Sequence, residues 1–355
     1  MLMLKLRTSL LVLLLASSMN ALAIKVPGLY EVEIPVIDQS EAVRADGVQT
    51  AFRRVLIKLT GDRQAAGRAS IRPLFDRAED YLQQYRYRET FSEQVTGEGA
   101  LVRTPETRLW VKFDEDSLNK ALRGLGIPVW GWERPSTLVW LAVSDQEGRR
   151  LLGLEEGADF IEVLELRAKQ RGIALLHPLL DLDDTAMLRA SDLWGGFREP
   201  VLNASSRYQA DTILAITLES PVPGIWEANW TMYLDGQMAR WSSESDLVEA
   251  VLDEGIDNLA DVLAAQYTPT VIDVGTNQVR LAVSDIFSVD QYAKVLAYLG
   301  SLNSVSDVEV EQVQAGRVTF LLEAHGGQLA VNQAIELGRI LEPITSQGSD
   351  YRLVP

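Results

Sequence analysis

Three aspartates in one short segment are the strongest candidates for chemistry in this sequence. Asp181, Asp183 and Asp184 follow an apolar stretch, Ile173 to Leu176, that predicts a β-strand. Open α/β sheets tend to hold ligands at the carboxyl ends of their strands, so the cluster is a candidate binding site for a partner or ligand. The spacing begins like a calcium loop, but Ala186 stands where such a loop needs glycine, and we predict no metal. The alternative is that the carboxylates cap a helix at a solvated edge.

A second candidate is the run Tyr85, Arg86, Tyr87 and Arg88, in which aromatic and guanidinium side chains alternate. Tyr and Arg are enriched among the residues that dominate protein interfaces, so the run is a candidate binding surface for a partner. Neighbouring side chains of a strand point to opposite faces, however. The alternative is therefore a two-faced strand whose tyrosines point inward.

Catalytic arrangements are scarce. His177 and His325 are the only histidines, and neither is accompanied by a nucleophile elbow. We expect His177 at the end of a strand and His325 in a loop, and we predict no catalytic residues. Paired carboxylates such as Asp183 and Asp184 leave a hydrolase open, because carboxylate chemistry needs neither Cys nor His. Adjacent side chains of a helix or strand point apart, which disfavours that pair.

Composition excludes further classes of chemistry. The chain has no cysteine, which rules out disulfides, thiol catalysis, cysteine-bound zinc and an acylated cysteine as lipid anchor. It carries 50 acidic against 33 basic residues, a formal charge of −17. That balance argues against nucleic acid as a partner, since binding phosphates requires clustered Lys and Arg. It is consistent with a receptor for a small cationic ligand. No cofactor is predicted.

The first 23 residues resemble a signal peptide. Lys5 and Arg7 form a basic start, the apolar run from Leu10 to Ala16 follows, and Ala21 to Ala23 supplies a small-residue cleavage pattern. The apolar run is shorter than the roughly 20 residues that a membrane-spanning helix needs. We therefore expect cleavage after Ala23, export to the periplasm, and no transmembrane segment or lipid anchor afterwards. Loss of Lys5 and Arg7 would change the formal charge from −17 to −19.

Apolar periodicity and proline positions predict a fold of the α+β or α/β class with three small domains, at 24–134, 136–268 and 270–355. In the first domain, an α+β unit, the apolar residues between Val48 and Leu59 repeat at helical spacing, and Gly61 ends that helix. The other predicted elements are a strand at Val32 to Val36, a helix from Pro73, strands near Tyr87 to Phe91 and Arg108 to Phe113, and a helix from Asp114 to Gly124.

The second domain is predicted as a mixed-sheet βαβαβββα unit. The continuous apolar run Leu138 to Val143 is typical of a strand covered on both faces. A helix from Gly157 to Arg171 and the strand at Ile173 to Leu176 complete a βαβ opening. Later, Asp235 and Gly236 predict the turn of a hairpin, and a long helix follows it.

The third domain is predicted as a βαββαβ unit, the split βαβ pattern of ferredoxin-like folds. Val279 to Val283 predicts the first strand, and Val308 and Val310 alternate with glutamates in the next. Gly316 turns the chain into a third strand, and Tyr351 to Val354 is the last. Both helices offer one apolar face to the sheet.

Five segments resemble an uncharacterised exported family of gammaproteobacteria, DUF2066. They are Val26 to Val32, Leu59 to Arg63, Gln84 to Tyr87, Pro178 to Asp184 and Ala204 to Asp211. The family has no established activity to carry over. In strand order, the middle domain also resembles the N-terminal domain of the Tol-Pal propeller protein and the middle domain of a flagellar-ring assembly factor. These are binding modules of the cell envelope.

Together these observations predict a non-enzymatic periplasmic module that binds another envelope protein through sheet edges or loops. Two alternatives stay open, a carboxylate-dependent hydrolase and a receptor for a small cationic ligand. The sequence does not identify the partner.

Overall fold

The computed structural model describes residues 26–95, 101–268, 276–302, 304–338, 340–344 and 348–354. Over these ranges the chain is mixed α+β and contains a three-stranded antiparallel sheet and two mixed sheets. The fold class predicted from the sequence is confirmed. Each sheet has a cluster of buried apolar residues on at least one face.

The first sheet has the strand order β1-β3-β2 and is entirely antiparallel. Its elements are β1 (Glu31–Val36), α1 (Glu41–Thr60), α2 (Arg72–Phe75), β2 (Leu82–Val95), β3 (Leu101–Phe113) and α3 (Glu115–Gly124). The predicted helix is confirmed within α1, where Val48, Phe52 and Val55 are fully buried against the sheet. Gly61 ends α1 in the left-handed region, as predicted, and its N–H donates to the carbonyl of Ile57.

The strands β2 and β3 are much longer than the sequence predicted. Residues beyond Phe91 and before Arg108 lack apolar alternation, so the sequence did not predict strands there. Backbone pairing nevertheless continues from Leu82 opposite Phe113 to Val95 opposite Leu101.

The second sheet has the order β5-β4-β7-β8-β9, and the short strand β6 also pairs with β4. Its elements are β4 (Ser136–Asp145), β5 (Gly148–Leu152), α4 (Ala158–Arg171), β6 (Ala174–Leu176), α5 (Leu182–Met187), α6 (Ala190–Trp194), α7 (Arg198–Ser205), β7 (Thr212–Val222), β8 (Ile225–Leu234), β9 (Gln237–Ser245) and α8 (Val248–Tyr267). The sequence missed β5. It correctly identified β4 as covered on both faces, since Leu138 to Val143 are all buried.

The helices α4 and α8 pack on one face of the second sheet. Trp230 on β8 is buried there, and a Cβ on Gly255 of α8 would overlap its indole, so this helix approaches the sheet closely. The predicted hairpin turn is confirmed, because Asp235 and Gly236 both have positive φ angles between β8 and β9.

The third sheet has the order β11-β12-β10-β14-β13. Its elements are β10 (Thr276–Ile286), α9 (Val289–Ser301), β11 (Val305–Gln314), β12 (Gly316–His325), α10 (Gly327–Gly338), β13 (Leu341–Pro343) and β14 (Asp350–Leu353). The split arrangement of β10 and β11 around β12 follows the prediction. The short strand β13, which the sequence did not reveal, reverses the chain before β14, so that β14 runs parallel to β10 instead of antiparallel. His325 is the last residue of β12 and does not lie in a loop.

A buried arginine connects helix α1, which packs on the first sheet, with helix α4, which packs on the second. Arg134, 1% exposed, donates to the carbonyls of Lys58 in α1 at 2.6 Å and of Gly172 after α4 at 2.8 Å. Its guanidinium also lies over the Trp130 ring, 4.1 Å from the centroid. Because the last carbonyls of a helix lack partners within the helix, a cation placed there satisfies and stabilises both helix ends.

A second contact at the same junction centres on Asp257 of α8. Its carboxylate accepts from Arg167 at 2.5 Å, from Arg171 at 3.0 Å and from Arg63 at 3.4 Å. Burial by itself raises the pKa of Asp257, but the hydrogen bond and charge of Arg167, with Arg171 and Arg63, hold the pKa below its usual value. Arg171 also donates to the carbonyl of Gly61 at 2.8 Å, which ties α4 to the end of α1.

Candidate functional site

The acidic cluster is built around the start of α5. Asp181 caps that helix, its carboxylate accepting from the N–H of Asp184 at 3.0 Å. Arg207, in the 3-10 turn that follows α7, donates to both carboxylate oxygens of Asp181 at 2.8 and 2.9 Å. This hydrogen bond from Arg207 lowers the pKa of Asp181. The capping alternative described from the sequence thus applies to Asp181.

Asp184 is fully buried. Its carboxylate accepts from the backbone N–H of Leu180 at 2.9 Å and from the hydroxyl of Tyr208 at 2.5 Å, and Arg207 lies 3.3 Å away. Burial, and then the hydrogen bond to Asp184, raise the pKa of Tyr208 to about 12. The contacts of Asp184 with Leu180, Tyr208 and Arg207 therefore hold together the loop before α5 and the turn after α7.

Asp183 differs from both neighbours, since its side chain is 79% exposed and lies 4.0 Å from Arg207. All three carboxylates nevertheless lie within 4.0 Å of one guanidinium nitrogen of Arg207, so this cation already occupies the space between them. The strand before the cluster, β6, has three residues and pairs only with Ser136 to Leu138 at the start of β4. The loop accordingly lies well before the carboxyl end of β4 and not at the common carboxyl edge of the sheet.

The run Tyr85 to Arg88 lies on β2, with its side chains alternating between two faces. Tyr85 and Tyr87 share the face that carries α1, and their rings meet edge to face at 6.1 Å. Tyr87 packs against the core, whereas Tyr85 is 41% exposed and has the Arg44 guanidinium 5.4 Å from its ring centroid. Only one of the two tyrosines is therefore an inward residue.

Arg86 and Arg88 lie on the opposite face of the sheet. Arg86 stacks over Trp110 of β3 at 4.3 Å, and Arg88 lies 3.9 Å from Glu33 of β1. The same face carries Arg108, which pairs with Glu106 at 3.1 Å. This open face of the first sheet, defined by Glu33, Arg86, Arg88, Arg108 and Trp110, is partly exposed and rich in arginine.

The outer half of the β2–β3 ladder extends beyond the rest of its sheet. β1 pairs with β3 only between Thr107 and Lys112, so residues 90–95 and 101–106 form a two-stranded β-arm. Phe91, 64% exposed, lies opposite Pro105 on this arm. Over the described ranges, β2 pairs with β3 alone, which leaves the β2 edge without a neighbouring strand along Leu82–Val95.

The face of the second sheet opposite α4 and α8 is covered by α6 and α7 over β4 and β7, whereas its part over β8 and β9, the open face, has exposed side chains such as Asn229 and Arg240. A pocket of about 300 Å³ lies beside α6 on this open face, and the sequence reasoning missed it. Its polar lining comprises Trp194, Thr217, Glu219, Asn229, Thr231 and Arg240. Thr217 lies opposite Asn229 in the register of β7 and β8, and Thr231 lies opposite Arg240 in that of β8 and β9. The alternation of polar and apolar residues along β8 was the signal in the sequence that could have revealed this polar surface.

Within the described part of the chain, no group of three or more His, Asp or Glu side chains is arranged to hold a metal ion. His177 contacts Glu165 on α4, its Nε2 lying 2.7 Å from the carboxylate. No helix among the described residues is long and apolar enough to cross a membrane.

Comparison with known proteins adds a family match at the N-terminal end. Residues 23–131 match the family model of a domain of unknown function, DUF8605. This range includes the first sheet, the Tyr85–Arg88 run and the β-arm. No curated protein matches the chain.

Three solved structures show distant similarity. The N-terminal domain of Protein Y from Thermus thermophilus is 21% identical over 22% of this chain and 88% of that one, with a TM-score of 0.15. The LpoB C-terminal domain from Salmonella enterica is 15% identical over 31% and 80%, with a TM-score of 0.22. A competence or damage-inducible protein from Enterobacter asburiae is 13% identical over 42% and 94%, with a TM-score of 0.23. Similarities at this level assign no function.

Proposed function

We propose that the chain is a non-enzymatic binding module of the bacterial cell envelope that engages an extended segment of another protein along the β2 edge. The observation that carries the proposal is the 14-residue strand β2, which pairs on one side only within the described ranges. Proteins usually cover or shorten such edges, because their free N–H and C=O groups pair readily with another chain. An added strand would gain main-chain hydrogen bonds along this edge.

The side chains of β2 indicate the chemistry of that segment. Residues of an added strand would alternate between the face of Arg86 and Arg88 and the face of Tyr85 and Phe91. Charge complementarity favours acidic residues beside the arginines and apolar residues beside the aromatic rings. The partner segment is therefore an extended peptide in which acidic and apolar residues alternate.

A peptide titration of the full chain tests this proposal. A synthetic octapeptide of alternating Glu and Val should slow amide hydrogen exchange in β2, and a Lys-Val octapeptide should not. The double variant Arg86→Glu, Arg88→Glu should abolish the protection. The matched control Arg72→Glu, an exposed arginine on α2, should retain it. Equal protection by both peptides, or none by either, would overturn the proposal.

Export to the periplasm is part of the proposal and rests on the signal-peptide pattern of residues 1–23. Cell fractionation should recover a form beginning at Ile24 in the osmotic-shock fraction. Recovery of the uncleaved chain with membranes alone would contradict this expectation.

We also propose kinship with the DUF2066 family, supported by the five segments described above. The segments Val26 to Val32, Leu59 to Arg63 and Gln84 to Tyr87 lie within the range matched by DUF8605.

A receptor for a small cation is a second candidate, favoured by a cavity of about 470 Å³ beside α3. Its walls include the rings of Tyr30 and Trp132, 5.4 Å apart, and the carboxylates of Glu31 and Glu115, with Lys112 at the rim. Aromatic faces and carboxylates together recognise organic cations. Titration with tetramethylammonium, with Glu115→Gln as the binding-deficient variant, tests this candidate, and absence of binding to the wild type removes it.

The hydrolase alternative receives no support from the pair on which it was based. Asp183 is exposed, whereas Asp184 is buried beneath Arg207 and Tyr208. Two carboxylates that flank a substrate bond must face the same space.

A further inference from the structure

We propose that the pocket on the open face of the second sheet binds a saccharide with a pyranose ring. This site is separate from the β2 edge, because it is formed by β7, β8, β9 and the end of α6. Its volume of about 300 Å³ lies at the small end of the range for ligand pockets, which suits a short saccharide.

The first observation is an accessible hydroxyl. Thr217 lines the pocket, and among the described residues its hydroxyl makes no hydrogen bond, although the residue as a whole is only 7% exposed. The hydroxyl oxygen itself is not buried, so it stays accessible from the pocket. A ligand hydroxyl in the pocket could therefore donate to it or accept from it.

The second observation is the row of polar groups beside Thr217. Asn229 lies directly opposite it in the register of β7 and β8, and Thr231 and Arg240 form the next pair on the same face. Over the described ranges, none of these three side chains makes a hydrogen bond or ion pair. The pocket thus presents preformed donors and acceptors that the fold itself does not use.

The mixture of groups indicates the ligand class. Thr217, Thr231 and Asn229 can each donate and accept, as a sugar hydroxyl also does. Arg240 and Glu219 add planar groups that can bind two neighbouring hydroxyls at once.

The indole of Trp194 lines the pocket, and an indole face can pack against the C–H face of a sugar ring. One face of this indole has the Arg149 guanidinium 4.8 Å from the ring centroid, so the other face is the one left for a ligand. A phosphate would be repelled by Glu219, and a purely apolar ligand would leave all these groups unpaired.

The geometry of Arg240 is held by the neighbouring loop. A Cβ on Gly196, whose φ is +63°, would lie 3.1 Å from the Arg240 guanidinium. The loop between α6 and α7 therefore passes close against Arg240 and closes one side of the pocket.

The test is calorimetric titration of the full chain with a panel of pyranose oligosaccharides, neutral, amino and acidic, alongside a panel of free amino acids. At least one saccharide should bind, and Asn229→Ala should weaken its affinity about tenfold or more, the loss of one to two hydrogen bonds. Asn203→Ala, an exposed asparagine on α7 outside the pocket, should bind like the wild type.

Thr217→Val provides a second, sharper variant. It keeps the shape of the side chain and removes only the unpaired hydroxyl, so the thermal midpoint should stay the same or rise while saccharide affinity falls. Absence of binding by every saccharide, binding unchanged in both variants, or binding of amino acids instead of saccharides would each overturn the proposal.

Discussion

At the junction of the first two sheets, Asp257 accepts hydrogen bonds from three arginines, whereas Asn229 on the open face of the second sheet has no partner among the described residues. Both side chains belong to elements packed around the same sheet. At the junction the buried carboxylate of Asp257 and the buried guanidinium of Arg171 pair with each other, as the stability of buried ions requires. On the open face Asn229 and Arg240 are exposed, so they are available for a ligand. The polar character of a side chain therefore does not by itself indicate whether its role is structural or binding. Whether other side chains of the protein already hydrogen-bond to it is the better indication.

The largest expected effect is at the junction. Replacing Asp257 with Asn leaves the buried Arg171 with only one of its two carboxylate partners, Asp261 at 2.7 Å, so the free energy of unfolding should fall by about 3 kcal/mol. Urea denaturation measures it. The matched control is Asp253→Asn, one helical turn earlier on α8, whose carboxylate is 42% exposed and 3.9 Å from Arg167. A loss for Asp253→Asn as large as that for Asp257→Asn would contradict the contrast.

The acidic cluster provides a second contrast within three residues. Asp184→Asn weakens the hydrogen bonds from Tyr208 and Leu180, so it should destabilise the fold by about 1–3 kcal/mol. Asp183→Asn, at an exposed position, should change stability by less than about 0.5 kcal/mol. Thermal unfolding of the two variants measures the difference. Similar midpoints would show that the buried contacts of Asp184 contribute little.

The buried amine of Lys58 gives the junction region a pH dependence. Its ammonium donates to the carbonyls of Gly28 and Glu31 at 3.0 and 2.9 Å. Burial, and then the charge of Lys169, lower the pKa of Lys58 from 10.5 to about 8. Between these values the unfolded chain binds more protons than the folded one, so this group destabilises the fold as the pH falls from about 10 to 8.

The variant Lys58→Met removes that contribution. The wild type should lose about 2 kcal/mol of unfolding free energy relative to Lys58→Met between pH 10 and pH 8, and only about 0.4 kcal/mol more between pH 8 and pH 7, where the folded form also becomes protonated. Urea denaturation at pH 7, 8, 9 and 10 measures it. The exposed Lys120→Met on α3 is the control and should follow the wild-type curve. Parallel curves for all three proteins would show that Lys58 titrates alike in both states.

The smallest change in the free energy of unfolding is expected on the open face of the second sheet. This change is stabilising, whereas the Asp257 and Asp184 replacements are destabilising. Glu219, Glu227 and Glu244 lie side by side in register across β7, β8 and β9. Like charges placed directly opposite repel, so Glu227→Gln should raise the free energy of unfolding by roughly 0.2–1 kcal/mol at low salt, and less at high salt. Glu162→Gln, at an exposed position on α4, is the control. A destabilised Glu227→Gln protein would mean that this face contributes to the fold.

Much of the secondary structure could be predicted, because burial periodicity is a local property. The helical spacing from Val48 to Leu59, the continuous apolar run in β4 and the Asp235–Gly236 turn were each read correctly. The missed strands, β5 and β13, have five and three residues, too few to show a period. The outer half of β2 was missed because residues 92–95 pair through the backbone but show no apolar alternation in the sequence.

The sequence by itself determined the mixed α+β class and the absence of cysteine chemistry, since these depend on composition and on neighbours along the chain. Only the tertiary structure decided which polar side chains have partners. Arg207 meets Asp181 across 26 residues, and Arg63 meets Asp261 across 198. Thr217, Asn229 and Arg240 come together only when three strands align in register. Contacts between remote segments follow from packing, and no local pattern encodes them.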